Sequence, residues 1–213
     1  MGSKKETDGA SRRVDRRTLY TCNAIKDSLL ELLPECPFEK LSITAVCSRA
    51  EIGRATFYLH YNGLMDVVDE LADDAINNTN TGPADILAGV DAMLELMKAS
   101  TSPEDLDEHL ELLPICQRVA DNPKYRPMFK DPFLCQYMLN RIFFRESRKL
   151  IPYLMENHHL SRLQATMLAR FTMFGAYAVN EAMDWKKDEE WYRVQRTILG
   201  FLSGGYKALE KGL

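Results

Sequence analysis

What the chain has little of limits it first. Its five cysteines, Cys22, Cys36, Cys47, Cys116 and Cys135, form no C-x-x-C pair and cluster with no histidine. That argues against a disulfide scaffold or a structural zinc site and for reduced thiols. No apolar run approaches the roughly 18 residues a membrane span needs, and no charged-then-apolar leader opens the chain. The Met-Gly start does not continue into an acylation pattern, because Glu6 holds the required Ser/Thr position. A cytoplasmic protein without membrane contact is expected. Catalytic signatures are missing as well: there is no G-x-S-x-G, Walker loop, H-E-x-x-H or G-x-G-x-x-G. The expectation is a non-enzyme that needs no metal and no cofactor.

What is present is an ordinary globular composition, 46% hydrophobic and 27% charged over 213 residues. Apolar residues recur at helical spacing throughout, with no strand-like alternation to compete, so the fold class expected is all-α. The net charge of −4 is unevenly spread. Residues 1–62 carry 10 Lys/Arg against 8 Asp/Glu, a surplus of +2, whereas residues 63–213 carry 17 against 23, a deficit of −6. A protein that coats nucleic acid indiscriminately is ruled against; a locally basic N-terminal part is not.

The chain is organised around LSITAVCSRAEIGRATFYLHYNGLMDVVDEL, residues 41–71. Ser42 is a good N-cap for a helix over 43–49 whose apolar stripe is Ile43, Val46, Cys47 and Ala50. A tight turn at Ala50–Gly53 follows, and Gly53 can cap the next helix. There Phe57 and Tyr61 repeat at i, i+4 and face inward, while Arg54 with Tyr58, and Thr56 with His60, form outward pairs. Two short helices crossing at a turn make a helix-turn-helix. Its outward face suits a major groove: Arg reaches guanine edges, a Thr methyl can touch thymine, and Tyr, Thr and His can hold phosphates. The same pattern also serves plain helix packing, with Tyr58 and His60 as surface residues.

The run AEIGRATFYLHY resembles the recognition-helix signature of the TetR family of transcriptional regulators, A-G-V-S-x-x-T-[LF]-Y-x-[HY]-F. Ala50, Ile52, Thr56, Phe57, Tyr58, His60 and Tyr61 match it, and Ser42, Val46 and Cys47 match the preceding helix. At motif level the resemblance covers roughly residues 12–71. Glu51 replaces the turn glycine, Gly53 the N-cap serine, and Leu64 a common phosphate-binding lysine; Thr44 sits where a polar base reader is frequent. These departures remove positive charge. The resemblance implies a homodimer on a palindromic double-stranded DNA operator, joined through its last two helices and responsive to a small-molecule effector. On it the DNA-contacting set is Ser42, Thr44, Gly53, Arg54, Ala55, Thr56, Tyr58, Leu59 and His60, with Arg54 and Thr44 as base readers.

The expected organisation is a disordered arm over residues 1–11, a helix-turn-helix domain over 12–62, and an effector-binding and dimerisation domain over 63–213. In the first helix, from about Arg12 to Leu33, the stripe Leu19, Cys22, Ile25, Leu29, Leu30 and Leu33 should be buried, and Pro34 and Pro37 stop it. Asn62-Gly63 breaks the chain before a fourth helix that ends near Asn77–Thr81. Further helices are expected over 84–99, 103–113, 115–120, 132–157, 161–185 and 189–211, with Asn122–Lys130 as a loop or broken turn. Met93, Met97, His109, Phe129, Phe133, Tyr137, Phe144, Phe171, Phe174 and Tyr177 are candidates to line an apolar effector cavity, or equally core residues of a helical bundle. The last two helices carry surplus apolar face and the small residues Gly175, Gly200, Gly204 and Gly205, as expected of paired helices that meet a second copy. His158 and His159 read as a solvated helix end. A co-regulator that keeps this fold but binds another protein is the alternative reading.

Overall fold

Alternating apolar spacing of three and four residues commits this chain to helices, and helices are what form. The computed structural model describes residues 16–79 and 115–210, together with positions 92 and 95. Among them all regular secondary structure is helical. The elements are α1 (Arg16–Leu32), a 3-10 turn (Phe38–Lys40), α2 (Ile43–Arg49), α3 (Arg54–Tyr58), α4 (Leu64–Thr79), α5 (Ile115–Asp121), α6 (Arg126–Lys130), α7 (Pro132–His158), α8 (Arg162–Ala182) and α9 (Glu189–Glu210). No described helix is long and apolar enough to cross a membrane. The expected arm, the helix over 103–113, that over 84–99 apart from positions 92 and 95, and Met93, Met97 and His109 lie outside the described residues.

Local signals fix several ends. Ser42 Oγ accepts from the Ala45 N–H at 3.1 Å, capping α2. Ser161 and Gln164 form a reciprocal capping box on α8. Asp131 caps α7, accepting from the Leu134 N–H at 3.0 Å, and its other oxygen accepts from the Phe38 N–H at 2.8 Å. That buried carboxylate ties the 3-10 turn to a helix 93 residues further on.

One core runs through both segments set apart in the sequence. Ile25 and Leu29 of α1, Val46 of α2, Phe57 of α3, Val67, Val68 and Leu71 of α4, and Met128, Leu134, Met138 and Ile142 of α6 and α7 are buried in a single cluster. A smaller cluster of Leu154, Ala165, Ala169 and Tyr206 joins α7, α8 and α9.

Helix α4 is the hinge of the packing, touching α1, α5 and α7. Its acids line up four apart on two flanks. Toward α1, Lys26 Nζ donates to Glu70 Oε1 at 2.9 Å and Asp74 Oδ2 at 2.6 Å. Toward α7, Arg141 bonds Asp69 at 2.9 Å and Asp73 at 2.8 Å, the Tyr137 hydroxyl donates to Asp69, and Arg145 donates to Asn77 at 2.8 Å.

Several expectations need correction. Leu19 is exposed and Cys22 only partly buried, since the α1 stripe is buried from Ile25 onward; α2, α4 and α6 pack on this helix. The 122–130 stretch, expected as a loop or broken turn, holds the five-residue helix α6, with Pro127 in its first turn. Helix α8 ends at Ala182 rather than running to Trp185, because Asp184 and Trp185 take left-handed conformations. His158 is not solvated but 2% exposed, its ring held between Tyr153 and Tyr206.

Candidate nucleic-acid interface

The turn between α2 and α3 is built without a glycine where one would be easiest. Glu51 adopts φ 54°, the left-handed region. A side chain there costs about 1 kcal/mol, and the fold holds it through Glu51 N–H to Ser48 O and Ile52 N–H to Cys47 O, at 3.3 and 3.0 Å. Gly53 then caps α3 in extended backbone with no side-chain bond.

Beneath α3, Phe57 is fully buried and Tyr61 nearly so, their rings 5.8 Å apart. Above it, Arg54, Ala55, Tyr58 and Leu59 are exposed, and across the turn Ser42, Thr44 and Ser48 are exposed on α2. The Arg54 guanidinium carbon lies 6.0 Å from the Tyr58 ring centroid. A bond to the Tyr58 side chain also holds the guanidinium above its ordinary range. Thr56 and His60 are half-buried at the edge of this face. The structure thus leaves Ser42, Thr44, Gly53, Arg54, Ala55, Tyr58 and Leu59 all exposed, on α3 and at the start of α2.

The positive charge here is modest. Lys26 is spent on Glu70 and Asp74. Arg49 is bound bidentately by Glu35 at 2.8 and 3.0 Å, and that bond raises it above its ordinary range. Lys40, two residues before the Ser42 cap, is exposed, as is Arg54. At the start of α4, Leu64 packs on the core. Asp66 there accepts from the Asn62 backbone and side chain at 2.7 and 2.9 Å, so the helix end already holds an anion of its own.

Behind α3 lies a polar cluster that no sequence signal singled out. The Tyr61 hydroxyl donates to Glu70 Oε2 at 2.6 Å while Lys26 holds the other oxygen. Burial pushes the Tyr61 phenol up, and its bond to the Glu70 carboxylate pushes it further. Burial likewise raises Glu70, but the bonds from Tyr61 and Lys26 outweigh it and leave the carboxyl below its usual range. For Lys26, burial lowers the ammonium and the Asp74 and Glu70 bonds more than restore it. Only the four-residue spacing of acids along α4 hinted at this arrangement.

The candidate effector residues are dispersed. Phe129 and Tyr177 are buried against each other, 5.9 Å between rings, with Cys135 donating to the Tyr177 oxygen at 3.0 Å. Phe174 is half-buried against Phe143, with Arg170 over both rings. Tyr137 faces Asp69, and Phe133 stacks on Phe38 at 5.7 Å. Phe144 and Phe171 are exposed. A cleft of about 530 Å³ sits elsewhere, between the 33–37 turn and residues 123–132, lined by Leu33, Pro34, Cys36, Pro37, Pro127 and Lys130 among others. Among the described residues no three His, Cys, Asp or Glu side chains are grouped to hold a metal ion. No family model matches the chain, and neither a curated protein nor a solved structure matches it.

Proposed function

We propose that the chain is a homodimeric transcriptional regulator of the TetR kind, a repressor that reads a palindromic double-stranded operator with α3. On this reading α1–α3 form a helix-turn-helix head and the later helices a body that binds an effector and a second copy. One observation carries it: the short helix α3, anchored by buried Phe57 and followed by buried Tyr61, leaves Arg54 and Tyr58 exposed, as is Thr44 of α2. Arg54 and Thr44 would meet base edges, and Tyr58, Thr56 and His60 the phosphates.

The reading requires paired heads about 34 to 36 Å apart. Support for a dimer comes from α8, where Leu163, Met167 and Phe171 repeat every four residues and are each at least half exposed, and from Phe201 on α9, 69% exposed. Gly175, Gly200, Gly204 and Gly205 have open space where a Cβ would stand, leaving room for another backbone to approach. An effector that favours a different head separation would lower operator affinity by its differential affinity for the two states.

The test is selection of bound sequences from random duplex DNA, followed by titration at several salt concentrations. Wild type should lose affinity linearly on a log–log salt plot. Tyr58→Ala should weaken operator binding roughly tenfold, with folding and dimer mass unchanged; undiminished binding by this variant would reject the role of α3. The second reading, a co-regulator acting through a protein partner, is favoured by Leu59, 80% exposed at the end of α3, and by the neutralised Arg49. A partner interface of that kind would leave wild type indifferent to duplex sequence.

A further inference from the structure

A helix of five residues does not hold its own shape or direction in water, and α3 lacks even a side-chain cap at Gly53. Its attitude is therefore set by what its far end is fastened to. Phe57 supplies a greasy anchor, but a ring in a pocket can tilt. The second fastening is polar and directional: the Tyr61 hydroxyl on Glu70 Oε2 at 2.6 Å. Glu70 is itself immobilised, because Lys26 of α1 bonds its other oxygen at 2.9 Å and Asp74 at 2.6 Å. The Lys26 side chain is 7% exposed while Glu70 and Asp74 are 42% and 40% exposed, so the cation is desolvated and its bonds are directional although the acids keep contact with water. For packing alone, phenylalanine would serve at position 61. The hydroxyl has a partner that ties α1, α4 and the turn that follows α3 to one point, and the Tyr61 N–H bonds back to Phe57 O in α3 at 3.0 Å.

We infer that Tyr61, Glu70 and Lys26 are positioning residues that fix the angle at which α3 offers Arg54 and Tyr58, and so govern discrimination between duplex sequences rather than attraction to DNA. This rests on the reading of α3 as the DNA-contacting helix. A tilted α3 still brings Arg54 near phosphates and leaves Lys40 of the 3-10 turn where it was, whereas base-edge contacts tolerate little displacement.

The experiment compares wild type with Tyr61→Phe in the full chain, on the selected duplex and on random-sequence duplex at one salt concentration, with amide hydrogen exchange in the absence of DNA. Losing a charge-assisted hydrogen bond should cost about tenfold on the selected duplex and leave random-sequence affinity unchanged. The Phe57, His60 and Tyr61 amides should exchange several-fold faster, with those of Ile25 and Leu29 unaltered. Glu70→Gln, which keeps an acceptor for the hydroxyl, should retain more discrimination than Glu70→Leu. A loss shared equally between the two duplexes, or α3 amides exchanging at the wild-type rate, would overturn the inference. If wild type itself prefers no duplex, it is the regulator reading that fails, and the exchange rates alone then decide whether the fastening exists.

Discussion

On the α1 side of α4, Lys26 is 7% exposed and holds Glu70 and Asp74; on the α7 side, Arg141 is 31% exposed and holds Asp69 and Asp73. The chemistry is the same on both flanks, one cation between two acids a helical turn apart. Burial is not. Where water is kept from the cation, the ammonium depends on its partners; where water reaches it, it screens the attraction and can replace either partner. Equal drawings of two ion-pair triads thus conceal unequal energies. The flank that matters more for stability is the one that also fastens α3.

Three experiments break or sharpen that contrast. Lys26→Met keeps the length of the side chain but leaves two acids without a cation. Both acids are about 40% exposed and can partly rehydrate, so the expected loss is about 2 kcal/mol in urea unfolding rather than the full penalty of a stranded buried charge. Acid should act more gently. The folded-state pKa of Glu70 is below its ordinary 4.5, so its contribution is complete above that value and is lost as the pH falls through the lowered one. Unfolding free energies from about pH 7 to pH 3 should show that decline, and Lys26→Met should flatten it. Arg141→Ala should cost least, under about 1 kcal/mol, and its effect should fade near 1 M salt, where screening reaches about 3 Å. A cost for Arg141→Ala equal to that of Lys26→Met would show that burial does not separate the two flanks.

Much of the helical layout was legible because caps and breakers are local. Ser42 names the start of α2 from the sequence and accepts the backbone N–H expected of it, and Asp131 and Ser161 accept the corresponding bonds at the starts of α7 and α8. The inward Phe57 and outward Tyr58 follow from helical spacing in the same way. What stayed hidden depends on partners distant in sequence. Lys26 reads as a surface lysine until α4 is laid beside it, 44 and 48 residues on. Leu19 reads as core until the packing of α1 is seen to begin one turn later. His158 has the look of a solvated helix end, yet aromatic rings from two elements close over it. The effector set illustrates the limit: aromatic residues at helical spacing were gathered by type, and folding sends them to the core, to the α4 flank and to the open surface alike.

Asp131 carries a consequence for how the chain comes apart. One carboxylate closes the approach to α2 and the first turn of α7 together. The apolar side of α4, with Val67, Val68, Leu71, Ala72 and Ile76 all buried, has neighbours before and after it in the sequence. Excising residues 16–61 would strand both the acid and that apolar side, so the N-terminal helices are not a detachable module. Heat should take them and the long helices in one melting step.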